Sequence, residues 1–278
     1  MAKVFDFDVY QPKEIAKRVE TTGVTKAELP VFSMAVLGVL AGAFIGLGAL
    51  YYVIIKSDQS LDFALAQVLG GIAFSLGLIL VVVAGAELFT GNNLIVMAWA
   101  DRKVSTTSLL RNWLVVFVSN FAGAVGLAYL VFRSGHWEMN DGAIKDQYIQ
   151  IAAAKCVLPF WQAFFRAVLC NLLVCLAIWM AIAGRSVLDK VVAIVFPISA
   201  FVAAGFEHCV ANMYFIPMAM FLISADPSAA LLHTEISGAG LLQNMIPVIL
   251  GNLMGGSVLV GLVYYLIYLR RKPEASQS

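Results

Sequence analysis

Val31–Ile55 runs for 25 residues without one charged side chain. About 20 apolar residues in a helix cross the hydrocarbon core of a bilayer. Five more apolar runs follow. Phe63–Ala86 is interrupted by Glu87 and continues as Leu88–Ala100. Asn112–Phe132 is uninterrupted, and Val157–Gly184 carries only Arg166, near its start. Val191–Phe206 is interrupted by Glu207 and His208 and continues as Cys209–Ala225. A sixth span lies within Ile236–Leu269. Of the 278 residues, 61% are hydrophobic and 13% charged. Soluble domains average roughly 45–50% and 25%, so lipid is the solvent for most of this surface. The expectation is an all-α integral membrane protein of six transmembrane helices, the second and fifth interrupted.

Charge sets the orientation. One set of loops and ends carries Lys3, Lys13, Lys17, Arg18 and Lys26, then Arg102, Lys103 and Arg111, then Arg185 and Lys190, then Arg270, Arg271 and Lys272. The opposite set carries only Lys56, Arg133, Lys145 and Lys155. Positive loops stay inside, so both termini are expected in the cytoplasm. Residues 1–30 are charged throughout and lack the apolar core of a cleaved signal peptide, so the first span is expected to direct insertion. Pro12–Thr22 reads as a short amphipathic surface helix with Ile15 and Val19 on one side. Residues 31–271 form the expected channel domain, and 272–278 a polar cytoplasmic tail. A net charge of +1 without a basic stripe gives nucleic acid no footprint.

The spans repeat. Gly85, Glu87 and Asn92 recur 120 positions later as Gly205, Glu207 and Asn212. Asn112, Asn120 and Gly123 recur 132 positions later as Asn244, Asn252 and Gly255. Three spans per unit is an odd number, so the second unit (about 157–271) inserts upside down relative to the first (about 31–133). In inverted-repeat transporters and channels, interrupted helices at matching positions point to the binding site. Broken backbone at membrane depth survives only where protein or water covers it.

His208 lies beside the second break, and an ionisable residue at that depth is a functional candidate. It either donates a proton or hydrogen bond to a passing anion or simply bridges helices. A carboxylate would repel anions, so Glu87 and Glu207 read as loop supports accepting backbone N–H groups. Asn92 and Asn212 close the same loops, and Asn212 can also face the lumen. Thr90 either donates to an anion, partners His208 or satisfies local backbone. Asn171 either bridges helices or donates to solute. Lys155, just before span four, either snorkels at the interface or draws anions to the mouth. Phe74, Leu78, Leu88 and Phe201 either form apolar constrictions or pack ordinarily. Gly251-x-x-x-Gly255 marks close helix contact. Cys156, Cys170, Cys175 and Cys209 have no CxxC spacing and read as buried small hydrophobes. No metal set, catalytic motif or cofactor fingerprint is present, so an enzyme has no support.

Three segments carry a resemblance. Val82-Val-Ala-Gly-Ala-Glu-Leu-Phe-Thr-Gly91 and Ala167-Val-Leu-Cys-Asn-Leu-Leu-Val-Cys-Leu-Ala177 resemble the two signatures of formate/nitrite transporters. Phe206-Glu-His-Cys-Val-Ala-Asn-Met213 resembles the segment with that family's central histidine. The resemblance extends from Asp8 to about Arg271. Gly71–Leu80 and Tyr264–Arg270 look most like the formate-channel branch. Glu87, where aspartate is also common, and Gly91-Asn92-Asn93 are minor departures.

The resemblance implies an aquaporin-like fold in a homopentamer, one pore per protomer. It implies outer narrowing at Phe74 and Phe201 and inner narrowing at Leu78, Leu88 and Val174. It also implies that His208 faces Thr90 across a central site near Asn171, and that the Thr90 loop and N-terminal helix move in pH gating. The expected protein is therefore a channel of the bacterial cytoplasmic (inner) membrane. It needs no cofactor or metal and passes formate or related small weak-acid anions with proton assistance at His208. Nitrite or hydrosulfide conduction in the same family, a neutral-solute channel and a non-transporting scaffold are the alternatives.

Overall fold

The computed structural model describes residues 9–270, and the expected tail at 272–278 lies outside them. Every regular element among these residues is helical. Helix α1 (Pro12–Glu28) precedes the first span, α2 (Val31–Lys56). The second span starts as α3 (Phe63–Ile79) and widens through Leu80–Gly85. After a non-helical break at 86–90 it resumes as a tight turn, Gly91–Ile95, and α4 (Val96–Ala100). The third span is α5 (Thr106–Arg133). An outlying helix, α6 (Ala143–Cys156), leads to the fourth, α7 (Phe160–Ala183). The fifth is α8 (Val187–Ala203) followed, beyond a break, by α9 (Cys209–Ser224). A short α10 (Pro227–Leu232) connects to α11 (Gly238–Leu253), which runs through a widened stretch, Met254–Leu262, into α12 (Val263–Tyr268).

Five continuous helical segments are long and apolar enough to cross a membrane: Val31–Lys56, Phe63–Gly85, Thr106–Arg133, Phe160–Ala183 and Gly238–Tyr268. The remaining span is a composite. At 1.5 Å per residue, α8 and α9 each reach only about 25 Å, so the crossing needs both.

Local chemistry sets the boundaries. Asp62, Ser105, Ser186 and Ser237 cap α3, α5, α8 and α11 through side-chain oxygens that accept backbone N–H groups. At both breaks the helix ends at a left-handed glycine, φ +88° at Gly85 and +68° at Gly205. A side chain there strains the backbone.

Helices approach closely where α2 meets α5 and, in the second unit, where α7 meets α11 and its widened continuation. A Cβ at Gly123 would collide with the Val39 carbonyl, and one at Gly255 with the Val168 carbonyl. The two contacts occupy equivalent places, as an inverted repeat requires.

Two features exceed the sequence expectation. Helix α1 runs to Glu28 rather than ending at Thr22. The Thr21 and Thr25 hydroxyls turn back to the carbonyls four residues earlier instead of stopping the helix. Its Ile15, Ala16 and Val19 are buried, and with Leu94, Met97 and Trp179 they form one cluster. Helix α1 is therefore part of the packed body. Helix α6 buries Ile144, Tyr148, Ile149 and Ala152 and stands to the second unit as α1 stands to the first.

Candidate functional site

The interruptions are held by two copies of one polar frame. In the first unit, Lys26 Nζ lies 2.6 Å from Glu87 Oε1. Asn92 donates to Glu87 Oε2 at 2.7 Å and to Asn112 Oδ1 at 2.9 Å, and Asn112 donates to the Lys26 carbonyl at 3.0 Å. In the second unit, Lys155 Nζ lies 2.8 Å from Glu207 Oε1. Asn212 donates to Glu207 Oε2 and to Asn244 Oδ1, both at 2.7 Å, and Asn244 donates to the Lys155 carbonyl at 3.0 Å.

The loop backbone is satisfied by a further pair. Asn120 donates to the carbonyls of Gly38 and Glu87 and accepts from Phe89 N–H. Asn252 donates to the carbonyls of Ala167 and Glu207 and accepts from Cys209 N–H. Buried backbone groups must find partners, and these asparagines supply them where the helices stop. The glutamates were expected to take loop N–H groups. They take Lys and Asn donors instead, because Asn120 and Asn252 already hold the backbone. The Glu87 and Glu207 N–H groups go to the carbonyls of Leu37 and Arg166.

Each break opens into a different cavity. On the α1 side a cavity of about 680 Å³ is bordered by Lys26, Gly85, Glu87, Leu88 and Asn92. Tyr10 stands at its edge between two guanidiniums, Arg18 at 3.5 Å and Arg185 at 4.4 Å from its ring centre. On the α6 side a cavity of about 80 Å³ is bordered by Phe74, Lys155, Phe201, Gly205, His208 and Asn212. Lys155 is thus at a mouth, but its charge is paired with Glu207. The Asn212 side-chain oxygen is buried without a partner.

Between the cavities the two breaks touch. His208 Nε2 lies 2.9 Å from Thr90 Oγ1. The other ring nitrogen, Nδ1, accepts the Ala211 N–H at 3.1 Å, so the imidazole caps α9. An N–H facing Nδ1 requires a lone pair there, which puts the ring proton of the neutral imidazole on Nε2, directed at Thr90. Phe201 stacks over the imidazole at 6.1 Å and meets Phe74 edge-on at 5.8 Å. Leu78, Leu88, Val174 and Thr90 are all buried. Leu78 and Val174 border neither cavity.

Asn171 belongs to the frame. Its amide nitrogen contacts the Asn252 carbonyl at 2.7 Å, Asn93 Oδ1 at 2.8 Å and, more distantly, the Thr90 carbonyl at 3.3 Å. It ties the first break and the turn after it to α11 and leaves no free donor. The four cysteines are buried free thiols.

The sequence reading missed Lys26 as the counterpart of Lys155. The repeat carried that signal: Lys155 follows Lys26 by 129 positions, as Ala167 follows Gly38. Tyr52 and Phe215, which border the smaller cavity, carried no signal because isolated aromatics in apolar runs look like packing.

Two half-membrane breaks that meet at one histidine–threonine contact, each beneath its own cavity, fit a multi-pass membrane transport protein. The comparisons give the class its name. A family model described as formate/nitrite transporter matches residues 13–266, and the chain belongs to that family of channels. It is 38% identical to the formate channel FocA of Escherichia coli strain K12, over 95% of this chain and 96% of that one. It is 37% identical to a probable formate transporter of Methanothermobacter thermautotrophicus, over 93% and 97%. A solved pentameric formate channel with formate bound superposes with a TM-score of 0.81 at 37% identity. That match covers 86% of this chain and 98% of the other.

Proposed function

We propose that this chain conducts formate and related small monovalent weak-acid anions, that it works as a homopentamer, and that both termini face the cytoplasm. The observation that carries the reading is the Thr90–His208 contact, which joins the two breaks, His208 bordering one cavity and Thr90's neighbours Leu88 and Gly91 the other. Its Nε2–H is aimed where a carboxylate would arrive. The formate channels among its relatives and the charge asymmetry of its loops support substrate and orientation.

In this reading an anion entering from the α6 side meets Lys155 and Asn212, and one entering from the α1 side meets Lys26. Paired with glutamates, these two lysines add polar lining with little net charge of their own, while Arg18, Arg185 and Lys190 keep the α1-side cavity positive. Phe74 and Phe201 on one side, and Leu78, Leu88 and Val174 on the other, are the apolar constrictions. A bare anion crossing them loses hydration that little replaces. Gly85, Glu87, Asn92, Gly205 and Glu207 hold the loops that present Thr90 and His208.

Proton bookkeeping constrains the central step. The neutral imidazole holds one ring proton, on Nε2, so it can hydrogen-bond the anion but cannot surrender that proton. Proton-assisted passage needs a second proton on Nδ1, and gaining it breaks the cap on Ala211. The imidazolium then gives its Nε2 proton to the carboxylate. The neutral acid crosses the constriction and releases that proton on the far side. The ring, left with its proton on Nδ1, returns to its resting form by taking a proton at Nε2 and releasing the one on Nδ1, which restores the cap on Ala211. A strong-acid anion has no such route.

The test is flux into liposomes for formate, nitrite, hydrosulfide, chloride and glycerol, at two pH values. Formate flux above chloride and glycerol that changes with pH supports the proposal. Nitrite or hydrosulfide flux well above formate moves the chain to another branch of the family. Glycerol flux without anion flux makes His208 structural.

A further inference from the structure

Among the described residues, charged side chains well inside the spans have partners with one exception; Arg133 and Lys190, also unpartnered, lie in the end turns of α5 and α8. Glu87 and Glu207 hold lysines. Arg111, six residues into α5, donates to the Ala27 carbonyl at 2.6 Å. Arg166, at a similar depth in α7, is exposed, and among the described residues its guanidinium meets no hydrogen-bond or ion-pair partner. Its backbone is fixed, since its carbonyl accepts the Glu207 N–H. The side chain points out of the bundle beside Trp161, Phe165 and Leu169, which are 65%, 59% and 46% exposed. With Gln162 they border a shallow groove of about 330 Å³. The Trp161 and Phe165 rings stack at 6.2 Å and form one wall.

An unpaired guanidinium on an apolar outer face needs an anion. Arg166 lies six residues past the start of α7, about 9 Å along the helix axis. Helical side chains lean toward the N-terminus, and arginine reaches back to the interface from such depths. Its planar fork suits phosphate oxygens. A second copy of this chain has no matching group at that depth. Among the described residues, the acids inside the spanning helices are Glu87 and Glu207, both buried and paired, and Asp189, in the first turn of α8 on the opposite side.

We infer that this groove binds an anionic membrane phospholipid, with the phosphodiester on Arg166 and an acyl chain along Phe165 and Leu169. Trp161 sits at headgroup level, its indole N–H and the Gln162 amide free to bond the headgroup.

Trp161 is its own reporter. Its fluorescence is the difference between the wild-type chain and Trp161→Phe, each reconstituted in phosphatidylcholine vesicles. Brominated phosphatidylglycerol should quench that signal at a several-fold lower mole fraction than brominated phosphatidylcholine. Arg166→Gln should abolish the preference, and Arg166→Lys should keep part of it. Equal quenching by both lipids, or a preference that survives Arg166→Gln, overturns the inference. So does an unquenched Trp161 whose assembly falls apart in Arg166→Gln, because a neighbouring copy then covers the arginine.

Discussion

His208 and Thr90, separated by 118 residues, meet with Nε2 2.9 Å from Oγ1 in the buried centre of the molecule. Each comes from an interrupted span, and the contact closes the gap between two cavities that open to opposite sides. The Thr90 oxygen is the acceptor that keeps the Nε2–H satisfied. Thr90→Ser keeps this oxygen and should retain formate flux. Thr90→Val leaves a buried donor unmet, a loss of about 1–3 kcal/mol. It should lower both the thermal midpoint and the flux, as read by melting in detergent and by liposome uptake.

Asn120 and Asn252 each satisfy three backbone groups at the breaks. Asn120→Ala and Asn252→Ala should therefore destabilise the fold by more than about 2 kcal/mol each, since several buried groups lose partners together. Asn→Asp at either position keeps the acceptor but loses both donations, so it should be no milder. Thermal unfolding midpoints decide the order.

The Lys26–Glu87 pair is partly buried, with the lysine 27% and the glutamate 7% exposed. Glu87→Gln or Lys26→Gln alone strands one charge beside the break and should cost up to about 3–5 kcal/mol, less any solvent reaching the lysine. The double substitution should be milder than the sum of the singles, and a double-mutant cycle by chemical denaturation measures the difference. Strict additivity would mean that the two side chains do not depend on each other.

Glu20, on the cytosol-exposed flank in our orientation, contacts Lys103 at 2.6 Å. Burial raises its pKa above the ordinary 4.5 despite the lysine, and nearby Asp101 adds to the rise. A carboxyl raised on folding binds more protons when α1 is docked than when it is free. Its contribution to docking is thus full below pH 4.5 and is lost as pH rises through the docked value. Hydrogen exchange of α1 amides should show protection falling over that window, and Glu20→Gln should flatten the fall.

Much of this arrangement was legible in the sequence, and the reasons differ by residue. Apolar run lengths delimited the spans because a bilayer imposes one length on every helix. Glu87 and Glu207 stood out because a charge inside such a run must mark a break or a site. The matched Asn112/Asn244 and Asn120/Asn252 spacings revealed the inverted repeat before any geometry. Which group each asparagine would hold was not legible, because partners such as Gly38 and Ala167 contribute only backbone carbonyls that no side-chain pattern announces. Helix α1 was cut short in the reading because Thr21, Thr22 and Gly23 mimic a stop. In the structure Gly23 faces Ile95 and Ala98, with room for a Cβ at ordinary contact distance, and continues the helix. The role of Asn171 was not legible either, because two of the three groups its amide contacts, the Thr90 and Asn252 carbonyls, are backbone.

The most direct test of the central claim compares formate flux in wild-type and His208→Phe liposomes across pH, with chloride as the strong-acid control. If His208 couples proton and anion, the phenylalanine variant loses its selectivity for the weak acid, or leaks anions, and its pH response changes. Unchanged flux together with unchanged pH dependence would contradict the account, leaving His208 as a helix cap and nothing more.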